Sequence, residues 1–193
     1  MTRTRESAGL PLYWCALGAL LTGLAACDLS PRTPEDPGGI VDTTIVNLSD
    51  PSLVLYQIRV GLASGRINSY MNAFTQDFTF NPDDRDSLTL VQQKPEVFDN
   101  WTFDVEQQVA QIIFADYSQR DVTFVTAEST VVAPDIVVLD EDYNLLVDSE
   151  RYQGRAELQM LLVGNEWRIF KWIDRRQADA DSSWSLLKGQ SRP

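Results

Sequence analysis

At 193 residues, with 44% hydrophobic, 23% charged and 10% aromatic side chains, the chain has room for one ordinary core and is too apolar to stay disordered. Its formal charge of −12 argues against a nucleic-acid partner. The absence of histidine excludes serine–histidine triads, histidine–zinc sites and imidazole proton shuttles.

Arg3 and Arg5 precede a stretch from Ala8 to Ala26 with no charged side chain, the basic start and apolar run of an export signal. Gly9, Pro11, Gly18 and Gly23 make that run a poor membrane span. It closes on Leu24-Ala25-Ala26-Cys27, which resembles the bacterial lipobox. Small residues let a peptidase grip the backbone closely, and the thiol accepts a diacylglyceryl group. The resemblance implies a lipoprotein signal peptide over 1–26 and a bilayer contact through acylated Cys27, where two or more fatty chains at ~0.8 kcal/mol per buried CH₂ anchor stably. The domain is then expected outside the cytoplasm, on the periplasmic side of the inner or outer membrane. Asp28 resembles the inner-membrane retention signal of some enteric bacteria. Cys15 leaves with the signal, so the mature chain keeps no free thiol. Loss of Arg3, Arg5 and Glu6 takes its charge to −13, so acyl chains and no basic patch must hold it at an anionic surface.

Residues 27–49 hold the lipidated cysteine and a tether rich in Pro31, Pro34, Pro37, Gly38 and Gly39, with a flexible reach of ~25 Å. The domain is expected over 50–176. Asp50-Pro51 can cap and start a helix over 51–64, in which Leu55, Ile58 and Leu62 share a face and Gly65 supplies the stop. Ile67, Tyr70, Met71 and Phe74 predict a second short helix. Phe78 and Phe80 alternate as a short strand ended by Asn81-Pro82, and 83–100 reads as loop. Thr102 can cap a third helix with Val105, Val109, Ile112 and Ile113 on one side.

Beyond Tyr117 the period changes to two. Residues 122–132 are rich in β-branched side chains. Two short apolar runs, 136–139 and 143–147, are separated by Asp140-Glu141-Asp142, an expected turn. Ala156, Leu158, Met160 and Leu162 share one strand face, Gly164-Asn165-Glu166 is a tight connection, and 167–174 is apolar on both faces. Gly154 marks an expected bulge. Helices first and antiparallel strands afterwards mean α+β, with about three helices wrapped on a curved sheet. The tail, 177–193, has serines placed to cap one short helix with Trp184, Leu186 and Leu187.

Tyr70 to Phe80, followed by a closing hairpin from Glu157 to Asp174 with its Gly-Asn-Glu-Trp turn, resembles the nuclear transport factor 2-like superfamily. This is the cystatin-like cone shared by polyketide-cyclase-like and ketosteroid-isomerase-like proteins. The resemblance spans roughly 51–176 and implies a hollow between helices and bent sheet, used as a ligand pocket or filled as core. It also implies a carboxylate and a tyrosine in the cone of enzymatic members. Here Asp77 with Tyr70, Tyr117 or Tyr152 are the candidates. The histidine of cyclase-like members has no counterpart.

Trp101, Trp172 and Phe74 are the candidates to line a ligand hollow. Asp140, Asp142 and Asn144 open like a calcium loop, but Leu145 and Arg151 stand where it needs glycine and glutamate. Asp83, Asp84 and Asp86 read as solvent-facing charge. No metal or cofactor is expected. The leading expectation is a membrane-anchored, non-catalytic domain that binds a small apolar ligand or docks an envelope protein. The alternatives are an isomerase- or cyclase-type enzyme with Asp77 as general base, and a structural subunit that forms a homodimer.

Overall fold

The computed structural model describes residues 46–193; the expected signal peptide, Cys27 and most of the tether lie outside them. Helix α1 (Pro51–Ser64) starts where Asp50 accepts the Ser52 amide at 2.8 Å, and it ends at Gly65, whose φ of +65° suits glycine. Helix α2 (Ile67–Met71) is shorter than its periodicity predicts. The Ala73 carbonyl accepts the Ile169 amide at 2.8 Å, which draws the chain into a sheet, so Phe74 opens strand β1 (Phe74–Asn81). Phe74 still packs on Tyr70, with ring centroids 5.2 Å apart.

The stretch read as loop contains a helix, α3 (Asp84–Val91), capped by Asp83 through the Arg85 and Asp86 amides. The acidic cluster is therefore not solvent-facing: Asp83 and Asp86 are buried, and only Asp84 is exposed. Burial follows from use, since Asp83 and Asp86 hold backbone amides and Arg176. Helix α4 (Phe103–Asp116) forms as expected, although Thr102 caps it without a side-chain hydrogen bond. Among the described residues, four helices thus precede the long strands, α3 being added to the three that the sequence predicts.

Strands β2 (Arg120–Ala133), β3 (Ile136–Val147), β4 (Glu150–Val163) and β5 (Glu166–Arg176) form an antiparallel meander. The turn expected at 140–142 is not there: β3 runs through it, with Leu139, Glu141 and Tyr143 all buried on one face. Asp142 stays on the other face, gripped by Arg155 at 2.8 and 3.0 Å. Nor is Gly154 a bulge. It pairs regularly with Tyr143 and Arg176, and the β4–β5 register slips instead between Gln159 and Met160.

The sheet order is β1-β5-β4-β3-β2, and β1 runs parallel to β5. The crossover through α3 and α4 carries the chain from one sheet edge to the other, which a simple meander would not need. Further slips at Thr126/Glu128 and Val131/Ala133 bend the sheet. Its concave face and the helices enclose one apolar core. Helix α5 (Trp184–Gln190), in the segment read as a tail, belongs to that core: Trp184 and Leu187 are fully buried.

Candidate functional site

The concave side brings together residues from six elements. Tyr70 comes from α2, Phe80 from β1, Glu106 from α4, Tyr143 from β3, Trp172 and Asp174 from β5, and Trp184 and Lys188 from α5. Trp184, Leu187 and Lys188 recur at i, i+3 and i+4, so one face of the short α5 carries all three into the hollow.

Lys188 is 1% exposed. Its ammonium lies 4.0 Å from the ring centroid of Phe80 and 4.1 Å from that of Trp172, with Trp184 and Trp101 at 5.8 and 6.0 Å. Glu106, equally buried, closes this box at 2.9 Å. The Glu106 carboxylate also accepts the Tyr70 hydroxyl at 2.7 Å and the Trp101 indole N–H at 2.8 Å. Aromatic faces and a carboxylate together compensate a cation that has lost its water. Burial lowers the Lys188 pKa against the pull of Glu106, and burial beside the carboxylate raises that of Tyr70.

A second polar cluster ties down the start of α5. Asp174 accepts the Tyr143 hydroxyl at 2.7 Å, the Ser185 amide at 2.8 Å and the Ser185 hydroxyl at 2.6 Å. The Tyr143 oxygen in turn accepts the Trp184 amide at 2.8 Å. Asp86 accepts the Ser183 amide at 2.9 Å and the Arg176 guanidinium at 2.9 Å. Ser183 Oγ lies within 2.8 Å of both carboxylates and has one proton to give. Burial raises the Asp174 pKa despite these donors. The arrangement orients a helix, and Asp83 and Asp174 also border a cavity of about 480 Å³ with Asn81, Pro82 and Arg176.

Asp77 is exposed on β1, outside the hollow. It borders a shallow cleft of about 370 Å³ with Phe74, Gln76, Leu161, Val163 and Arg168. Tyr70 meets Glu106 instead. Tyr152 donates to Glu150 and is buried near the turn between β3 and β4, and Tyr117 stands half-buried at the end of α4. The pairing of Asp77 with a tyrosine is therefore not assembled. Trp101, Trp172 and Phe74 do converge and are buried: the first two face Lys188, and Phe74 stacks on Trp172 at 6.5 Å. The sequence reading does not single out Glu106, Lys188 or Asp174 as site residues, and it takes Asp86, which is buried, as solvent-facing charge. The i, i+4 placement of Lys188 behind Trp184 was the one available signal. Among the described residues, no group of three or more His, Cys, Asp or Glu side chains is placed to hold a metal ion, and no helix is long and apolar enough to cross a membrane.

No protein-family model matches the sequence, and no curated protein is similar to it. Solved structures do match. A protein of unknown function from Mycobacterium tuberculosis aligns with TM-score 0.53 at 11% identity, over 73% of this chain and 85% of its own. A candidate scytalone dehydratase from Novosphingobium aromaticivorans aligns with TM-score 0.55 at 9% identity, over 66% and 81%. A domain of unknown function with a cystatin-like fold from Nostoc punctiforme aligns with TM-score 0.53 at 9% identity, over 70% and 82%. The fold is thus the cystatin-like, nuclear transport factor 2-like one, an α+β cone with an unclosed five-stranded sheet.

Proposed function

We propose that this chain is a bacterial envelope lipoprotein, anchored by acyl chains on Cys27, whose cone is a non-catalytic module that docks an envelope protein. The observation that carries the docking half is the state of the hollow. Helix α5 fills it with Trp184, Leu187 and Lys188, all at most 1% exposed. The aromatic side chains that would receive an apolar ligand already hold a residue of the same chain. The fold itself does not choose, because similar cones include a candidate dehydratase and proteins of unknown function.

Two measurements test the halves separately. Cys27→Ser should leave an uncleaved precursor without acyl chains; normal processing of that variant removes the anchor. Crosslinking in intact envelopes should give a discrete product, while native mass spectrometry of the chain after exposure to envelope lipid extract should give a bare polypeptide. A stoichiometric small-molecule adduct would favour ligand binding over docking.

One observation favours a second reading, an isomerase- or cyclase-type enzyme. The Tyr70–Glu106 pair supplies the buried carboxylate and tyrosine that the resemblance implies. Lys188 then stands where a substrate would, and activity would require α5 to leave.

A further inference from the structure

The described domain begins beside one end of its sheet. The Leu48 carbonyl accepts the Trp167 amide at 2.7 Å, at the start of β5. The turn between β4 and β5 and the turn between β2 and β3 lie at this same end, joined by the Leu162 amide donating to the Asp135 carbonyl at 2.9 Å. Three large apolar side chains stand bare there: Val131 at 74% exposure, Val132 at 62% and Val163 at 48%. Half-buried Trp167 is beside them. The register slips between Val131 and Ala133, leaving Val132 as an extra residue that the ladder does not align. From Thr130 to Leu139 the single charge is Asp135, in a chain that is otherwise strongly acidic.

We infer that these two turns form a second membrane contact, resting on the lipid surface with Val131, Val132 and Val163 among the headgroups. The inference rests on the anchoring proposed above. Geometry selects this end. A tether of the composition found between Cys27 and Val46 reaches ~25 Å, and it joins the domain at Trp167. The eleven residues of β5 extend ~36 Å at about 3.3 Å each, so the opposite end, with α3 against Arg176, lies beyond easy reach. Chemistry selects the same end. Leu88 and Val91 on α3 are also exposed, at 69% and 41%, but Asp84 stands exposed in the first turn of that helix, and a headgroup layer on an anionic membrane repels it. Apolar side chains beside Asp135 and the ion-paired Glu166 and Arg168, with a tryptophan at the margin, suit the interface between headgroups and acyl chains.

The acylated full chain, bound to vesicles of phosphatidylethanolamine and anionic phosphatidylglycerol, provides the test. Cys27 is blocked by its acyl chains, so Val132→Cys, Val163→Cys and Leu88→Cys each place one fluorophore. Nitroxide-bearing lipid should quench the labels at 132 and 163 several-fold more than the label at 88. Protein that sediments with vesicles but shows equal, water-like quenching at all three sites overturns this inference and leaves the anchor intact. Protein that does not sediment overturns both. Labels at 132 that form excimers and resist the lipid quencher assign the tip to a second copy of the chain, and also overturn it.

Discussion

The side chain of Tyr143 on β3 crosses strand β4 above Gly154 to reach Asp174 on β5. A Cβ at Gly154 would lie 2.4 Å from the Tyr143 hydroxyl and 2.6 Å from the Arg175 carbonyl, far inside van der Waals contact. The glycine is there for close approach across a regular ladder, not for backbone freedom. Gly154→Ala should therefore cost ~1–3 kcal/mol of stability, as over-packing does. It should also loosen the Trp184 amide, which hydrogen-bonds to the displaced hydroxyl. Urea denaturation and amide exchange at Trp184 check both. Unchanged exchange would mean that Tyr143 does not hold α5.

The buried ion pair makes a sharper prediction. Lys188→Met removes the cation and leaves Glu106 charged and uncompensated, which should cost ~3–5 kcal/mol. The double variant Glu106→Gln/Lys188→Met keeps polar partners for Tyr70 and Trp101 and removes both charges. It should recover most of that loss, because replacing a whole buried pair is often neutral. A double-mutant cycle by chemical denaturation reads the coupling directly. Equal losses in the single and double variants would show that Lys188 acts by packing alone.

Helix α5 should be indispensable to folding. A chain ending at Ser182 would lose the burial of Trp184 and Leu187, worth ~1.5–3 kcal/mol each, and would bare Phe80, Trp101, Trp172 and Tyr143. It should bind a hydrophobic dye and unfold without a cooperative transition. A truncated chain that still melts cooperatively would instead identify α5 as a displaceable plug, and the enzymatic reading of Tyr70 and Glu106 would gain ground.

Glu141 predicts a pH dependence. It is fully buried on β3, one carboxylate oxygen takes the Thr126 hydroxyl at 2.8 Å, and the other has no partner. Burial raises its pKa above the usual 4.5, with Asp140 and Asp142 adding to the shift and Thr126 opposing it. The folded state then binds the proton more tightly than the unfolded one, so the wild-type chain loses this contribution as pH rises from 4.5 through the raised value. Glu141→Gln removes the titration. The stability of the variant relative to wild type should increase across that window and be level below it. A difference that does not vary with pH would show that Glu141 titrates alike in both states.

Much of the architecture follows from local pattern. Helix α1 is written in Asp50, the recurring Leu55, Ile58 and Leu62, and Gly65, each of which acts within a few residues of itself. The same holds for α4 and for the β4–β5 hairpin. Three readings failed where a partner distant in sequence intervenes. Phe74 is pulled from helix to strand by β5, Glu141 is carried through an apparent turn by ladders on both sides, and Asp86 is buried because Ser183 and Arg176 meet it.

Sequence by itself determined α1, α4 and the β4–β5 hairpin, the charge, the missing imidazole chemistry and the resemblance to a curved α+β cone, because these depend on periodicity and composition within short windows. Only the tertiary structure decided that β1 lies parallel to β5, that Asp77 points away from the hollow, and that Lys188 rests on Glu106 inside it. Glu106 and Lys188 are 82 positions apart, and no local pattern reports a contact between side chains so distant in sequence.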